Sequence, residues 1–133
     1  MSKFRKLLLL IPILLLLAAC KAGATPEPTA IPEEGNVFNP SAPPVQVWQE
    51  IPIMPEATAG EATIDMYGFK IDAEPDEIIS YYRRRLPPFN WGEMYSLPYE
   101  EGMAVLIFTR GDRTLTITIS DQDTFMLVLL QMQ

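Results

Sequence analysis

The sequence contains no histidine and a single cysteine among its 133 residues. The absence of histidine excludes histidine-based acid–base catalysis, histidine-activated nucleophiles and histidine-containing metal sites. One cysteine excludes an intramolecular disulfide. No serine lies in a nucleophile-elbow motif, and the acidic turn at Asp121 and Asp123 lacks the further ligands of a calcium loop. We therefore expect a protein that is not an enzyme, with no catalytic residues, no metal and no cofactor.

Basic residues are also scarce, with 10 Lys and Arg against 17 Asp and Glu. Removal of residues 1–19 takes away three of the ten basic residues and none of the acidic ones, which leaves seven against seventeen and a net charge of −10. Nucleic-acid recognition depends on basic surface. The charge balance therefore argues against a nucleic-acid partner.

The N-terminal segment has the layout of a secretory signal. Basic residues between Lys3 and Lys6 precede an apolar run of 13 residues from Leu7 to Ala19. A helix that spans the hydrocarbon core of a bilayer needs roughly 20 apolar residues. The run therefore favours a cleaved signal peptide. An uncleaved membrane anchor is the alternative.

Leu17-Ala18-Ala19-Cys20 resembles the lipobox of bacterial lipoproteins. The resemblance implies a diacylglyceryl group on the Cys20 sulfur, cleavage before Cys20 and acylation of the new amino terminus. Two or three acyl chains would hold the protein at a membrane, because each buried CH₂ contributes about 0.8 kcal/mol. We therefore expect a lipid-anchored protein on the extracytoplasmic side of the cell membrane or outer membrane. An ordinary signal peptide cut after Ala19 is the alternative.

Composition divides the chain into three parts, which are a signal peptide (1–19), the lipidated Cys20 with a Pro-rich linker (20–50), and a small domain (51–133). Eight prolines lie in the 35 residues that follow Cys20. Such a composition predicts a disordered and extended linker. Apolar residues between Val45 and Ile53 interrupt the polar pattern and mark the approach to the domain.

The domain pattern predicts an α+β fold of strand, helix and four-stranded antiparallel meander. A helix is expected to begin at Glu74, with Pro75 at its first position, and to end at Pro87 because proline cannot donate the next backbone hydrogen bond. One helix on one face of a mostly antiparallel sheet fits this order. The strands are predicted over residues 62–71, 91–97, 103–110, 113–120 and 124–132.

A second resemblance concerns residues 51–133. Ile51-Pro52-Ile53-Met54-Pro55-Glu56-Ala57 resembles the opening motif of small α+β domains that are common in uncharacterised bacterial lipoproteins. Tyr81-Tyr82 with Leu86, followed by Trp91-Gly92, resembles their helix motif, and Phe108 before Gly111 fits their last strands. The resemblance implies a fold and carries no catalytic residues.

Arg83, Arg84 and Arg85 form the one basic cluster in the sequence after Cys20. Cations in the last turn of a helix complement its negative end, which is the simpler interpretation. The other interpretation is a site for an anionic group, such as a lipid phosphate or a partner carboxylate. It would make the domain a small-molecule or anion-binding module.

Two predicted strands are apolar on both faces, around Met103–Phe108 and Phe125–Leu130. One helix covers one sheet face, so we expect the second face to be covered by residues 45–54 or by simple central burial, or to bind a protein partner or a second copy of the chain. Strand 124–132 is a candidate edge that could add to another sheet. The preferred hypothesis is therefore a membrane-anchored lipoprotein with a non-catalytic binding or envelope-associated domain.

Overall fold

A computed structural model describes residues 35–133. These residues contain one α-helix, one short 3₁₀ helix and eight strands. The elements are β1 (Val47–Trp48), β2 (Ile51–Pro52), β3 (Ala59–Ala62), β4 (Met66–Ile71), α1 (Pro75–Arg85), the 3₁₀ helix (Pro87–Phe89), β5 (Gly92–Glu100), β6 (Met103–Arg110), β7 (Arg113–Asp121) and β8 (Met126–Met132). Six strands form one antiparallel sheet in the order β3-β4-β8-β7-β6-β5, and β1 and β2 form a separate hairpin. The prediction of a small domain with one helix and a mostly antiparallel sheet is confirmed.

Helix α1 begins and ends where local sequence signals place it. Pro75 occupies the first turn, and the Glu77 side chain accepts a hydrogen bond from the backbone N–H of Glu74 at 3.1 Å. This contact satisfies a backbone donor that the helix itself leaves unpaired. Pro87 follows the last turn and starts the 3₁₀ helix. The apolar stripe that includes Ile78 and Tyr82 is buried.

One face of the sheet packs against α1 and forms the core. Alternate residues of neighbouring strands meet there, as the pleat requires. Phe69 of β4 lies opposite Val128 of β8, which lies opposite Ile119 of β7. The β1–β2 hairpin packs into the same core, because the ring of Trp48 stacks on that of Tyr67 with centroids 6.1 Å apart.

Residues 35–46, which we call the strap, wrap around the edge of β3. Ala42 O accepts a hydrogen bond of 2.8 Å from the backbone N–H of Gly60. Further along the strap, the Val45 backbone N–H donates to the Tyr67 hydroxyl at 2.9 Å. The strap therefore protects this edge of the sheet from pairing with another strand.

The strap corrects the predicted domain boundary. Residues 35–50 are ordered against the sheet, so the prediction of a disordered linker over residues 20–50 is wrong for this part. Composition does not predict this order, because the strap is held by hydrogen bonds to particular groups of the sheet and by the burial of Val37, and the segment after it is held by the burial of Trp48. Cys20 and the predicted signal peptide lie outside the described residues, as do the Pro-rich residues up to 34.

Strand order corrects two further predictions. β8 lies between β4 and β7 at the centre of the sheet, so the expectation of an edge strand over residues 124–132 is wrong. A strand with neighbours on both sides is covered on both faces more completely than an edge strand, which accounts for the apolar residues on both faces of β8. The predicted strand over residues 62–71 is divided, because a turn before Met66 separates β3 from β4.

Within residues 35–133, no helix is long and apolar enough to cross a membrane.

Candidate functional site: the outer face of the sheet

The face of the sheet opposite α1, which we call the outer face, is partly covered by the described residues. Cross-strand pairing places Tyr95 opposite Ile107 and Leu97 opposite Val105 on this face. The residues of the four meander strands on this face include Tyr95, Leu97, Met103, Val105, Ile107, Thr116, Thr118, Ser120, Leu127, Leu129 and Gln131.

The strap covers the half of the outer face formed by β4 and β8. Val37 is almost fully buried, with its backbone against Gly68. Lys70 lies opposite Leu127, donates a hydrogen bond of 2.8 Å to the Asn39 side chain, and places its ammonium 4.7 Å from the centre of the Phe125 ring. Val37 and its neighbours therefore cover this half. Residues 45–54 were an expected cover, but their buried members Trp48, Ile51, Ile53 and Met54 pack into the core on the other face.

The half formed by β5 and β6 is open among the described residues. Tyr95, Leu97 and Met103 expose 52%, 45% and 49% of their surface, and Val105 and Ile107 are half-buried. We call these five residues the apolar patch. A groove of about 140 Å³ runs beside Leu97, Met103 and Val105. Contiguous exposed apolar surface of this kind usually marks an interaction site.

The edge of β5 is less suited to binding than the face. No other strand within residues 35–133 pairs with this edge. Pro98 lacks a backbone donor, and the register with β6 shifts between Glu93 and Tyr95 and again between Leu97 and Glu100. Proline and irregular register disfavour the addition of another strand. A partner is therefore expected to dock on the face of the sheet.

The three arginines of α1 do not converge on one site. Arg83 makes two hydrogen bonds to the Glu93 carboxylate, with Nε to Oε2 at 2.8 Å and Nη2 to Oε1 at 2.9 Å. These bonds lower the pKa of Glu93. Arg85 lies over the Tyr81 ring at 5.4 Å, and Arg84 lines an open groove beside α1. Neighbours in the sequence thus have separate environments in the fold.

Two buried polar atoms of the core, the Tyr82 hydroxyl and Trp91 Nε1, have no hydrogen-bond partner among the described residues. Burial raises the pKa of Tyr82 well above its usual value, so this hydroxyl stays protonated. Residues 35–133 hold no group of three or more acidic or cysteine side chains that is arranged for a metal ion.

Residues 54–124 match a family model described as START domain-like. This segment is more than half of the chain. The chain belongs to the START domain-like family. The START domain-like segment contains β3 to β7 and α1, whereas the strap, the β1–β2 hairpin and the central strand β8 lie outside it. No curated protein and no solved structure matches the chain.

The apolar patch lies within the START domain-like segment. Sequence reasoning identified Met103, Val105 and Ile107 through their apolar alternation, but it missed Tyr95 and Leu97. The alternation of these two residues was visible in the sequence. Their place beside β6 depends on strand pairing, which periodicity does not show.

Proposed function

We propose that this protein is an extracytoplasmic membrane lipoprotein, anchored through lipid on Cys20, whose domain binds a protein partner of the cell envelope without catalysing a reaction. The order of basic residues, apolar run and Leu17-Ala18-Ala19-Cys20 supports the anchor. The open apolar patch supports the binding role.

The apolar patch is the observation that carries the binding proposal. Tyr95, Leu97 and Met103 each keep about half of their surface exposed. Full burial of a large apolar side chain contributes about 1.5–3 kcal/mol. A partner that covers these three residues would therefore gain on the order of 1 kcal/mol from each.

The number of residues between Cys20 and the strap limits how far the domain can lie from its proposed anchor. Fourteen residues, 21–34, separate Cys20 from the first described residue. A fully extended chain of that length spans at most about 50 Å. The partner is therefore expected in the same layer of the envelope as the anchor.

A pull-down from envelope extracts, with the full-length protein produced in a lipidating host, tests the binding role. The patch variant is the double substitution Tyr95→Ser and Leu97→Ser. The matched control is Ile64→Ser, since Ile64 is a strongly exposed apolar residue outside the patch. We expect the patch variant to lose the captured protein and the control to retain it. Equal capture by both variants would exclude the patch as the binding surface.

The anchor is tested separately with Cys20→Ser. We expect this variant to leave the membrane fraction and to lose the mass of the acyl groups, while its domain still captures the partner in detergent extracts. Unchanged membrane association and unchanged mass would rule out the lipid anchor.

The alternative function is a small-molecule or anion-binding module that uses Arg83, Arg84 and Arg85. It is less well supported, because the Arg83 guanidinium is occupied by Glu93 and the other two arginines lie in different environments. Charge reversal of all three residues that leaves partner and membrane engagement unchanged would exclude it.

A further inference from the structure

Arg110 and Arg113 face each other directly across the hairpin between β6 and β7. Like charges in directly opposed positions of a sheet repel. Both guanidiniums nevertheless lie over the ring of Trp91, at 4.7 and 5.9 Å from its centre. The fold therefore places two cations against the same indole ring, where each makes a cation–π interaction.

A single carboxylate oxygen holds the pair together. Oε2 of Glu50 lies 2.8 Å from Nη2 of Arg110 and 3.3 Å from Nη1 of Arg113. The hydrogen bond from Arg110 lowers the pKa of Glu50. The Glu50 side chain is 68% exposed, against 25% and 34% for the two arginines. The carboxylate is thus the part of the cluster most open to solvent.

The backbone that carries Glu50 is strained. Gln49 and Glu50 form the turn between β1 and β2 and have φ angles of 44° and 69°. Two-residue hairpin turns of this kind favour asparagine, aspartate and glycine, and neither residue here is one of these. Strain of this type clusters at ligand clamps and switch segments. The turn therefore holds the Glu50 carboxylate at the arginine pair, while the Glu50 backbone has a positive φ that glutamate rarely adopts.

The arginine pair is not saturated by Glu50. Each guanidinium contributes one nitrogen to the carboxylate, and both contacts go to the same oxygen. A guanidinium fork is suited to two parallel hydrogen bonds with one carboxylate. Two positive charges also face one negative charge, in a chain whose net charge is −7. The remaining terminal nitrogens make only long contacts to neutral acceptors, from Arg110 Nη1 to the Phe89 carbonyl oxygen and from Arg113 Nη2 to Gln49 Oε1, both at 3.4 Å. The cluster is therefore locally positive, and a second carboxylate oxygen would replace weak neutral acceptors.

We propose that Arg110 and Arg113, on the Trp91 ring, form a binding site for a carboxylate from outside the chain, and that Glu50 occupies the site as an internal carboxylate until the ligand replaces it. The carboxylate is carried either by a small molecule or by an acidic polypeptide. The site is independent of the apolar patch, so a failure of either proposal leaves the other standing.

Titration of the full chain in detergent with sodium malonate, against sodium chloride at matched ionic strength, tests the site. The readout is the indole N–H resonance of Trp91, assigned with Trp48→Phe. We expect a saturable shift with malonate and none with chloride. We expect Glu50→Gln to raise the affinity at least about fivefold, because the competing carboxylate is gone while the side-chain shape is kept.

Variants of the arginines decide between a ligand site and a structural contact. Arg113→Lys keeps the charge and loses the fork, so we expect a several-fold weaker affinity with the fold retained. Arg110→Gln is expected to abolish the shift, and Arg84→Gln is the control that leaves it unchanged. Unchanged affinity in Glu50→Gln, or native affinity in Arg110→Gln, would overturn the proposal.

Two further titrations identify the ligand class. A hexaglutamate peptide that binds at least tenfold more tightly than malonate would assign the site to a polypeptide carboxylate, and equal affinity would assign it to a small molecule. Inorganic phosphate is expected to bind more weakly than malonate. Phosphate binding at equal or higher affinity would overturn the assignment to carboxylates.

Discussion

The backbone carbonyl oxygen of Val37 occupies the space where a Cβ atom on residue 68 would lie, so Gly68 is required for the strap to reach the sheet. Gly68 lies on β4 between Tyr67 and Phe69, which both face the core. Its missing side chain therefore opens a contact on the opposite face. The fold therefore uses this glycine for the close approach of a second backbone.

Gly68→Ala is expected to lower the free energy of unfolding by about 1–3 kcal/mol, because the strap backbone must move to admit a methyl group. Gly92→Ala is the matched control on β5, where the nearest atom to an added Cβ is 4.0 Å away. Urea denaturation of the chain without its first 20 residues measures both. Equal stability of the two variants would contradict the close contact.

Trp48→Ala is expected to cost about 3–5 kcal/mol, since Trp48 is buried in the core beside Tyr67. Val47→Ala, at the preceding position, is expected to change stability by less than about 0.5 kcal/mol because Val47 is exposed. Thermal and urea unfolding distinguish these outcomes. A small effect of Trp48→Ala would indicate that the folded domain begins at residue 51, as the sequence predicted.

Tyr82→Phe is expected to leave stability unchanged or to raise it, because the Tyr82 hydroxyl is buried with no partner among residues 35–133. Tyr67→Phe removes the acceptor of the Val45 N–H hydrogen bond and is expected to cost about 1 kcal/mol. The comparison of the two variants by urea denaturation isolates the hydrogen bond from the loss of a hydroxyl. A larger loss in Tyr82→Phe than in Tyr67→Phe would show that its hydroxyl has a partner.

The Arg83–Glu93 pair predicts a defined pH dependence. The hydrogen bond from Arg83 lowers the pKa of Glu93 in the folded state, so the pair stabilises the fold above the ordinary glutamate pKa. This contribution is lost as the pH falls through the lowered pKa. Both side chains are partly exposed, so the expected contribution at pH 7 is at most about 1 kcal/mol.

Glu93→Gln should therefore be less stable than the native chain at pH 7, and the difference should shrink between roughly pH 5 and pH 3. Glu100→Gln, on the same strand, provides the control for a general change in net charge. Urea denaturation at a series of pH values measures both variants. A difference for Glu93→Gln that grows towards low pH would contradict the ion pair.

Helix α1 shows which elements follow from local sequence. Its start at Pro75 and its end before Pro87 depend on backbone chemistry within a few residues, and both were predicted. The hairpin at Gly111 followed in the same way, from a glycine with positive φ between two alternating strands. These features need no knowledge of the distant chain.

The candidate sites show what local sequence does not contain. Arg83, Arg84 and Arg85 are adjacent in the sequence and yet have three different neighbours in the fold. Arg110 and Arg113 meet Glu50 across sixty or more positions of the chain. The contact exists because the β1–β2 turn folds over the β6–β7 hairpin.

The boundaries of α1, the number of meander strands and the faces on which their apolar residues lie follow from the sequence alone, because helix caps, turns and pleats act over a few residues. The central position of β8, the order of the strap and the openness of the apolar patch among residues 35–133 depend on tertiary contacts. These outcomes depend on which strands pair and which surfaces are buried by distant segments. The decisive contacts, such as Val37 with Gly68, join residues far apart in the chain and leave no periodic pattern.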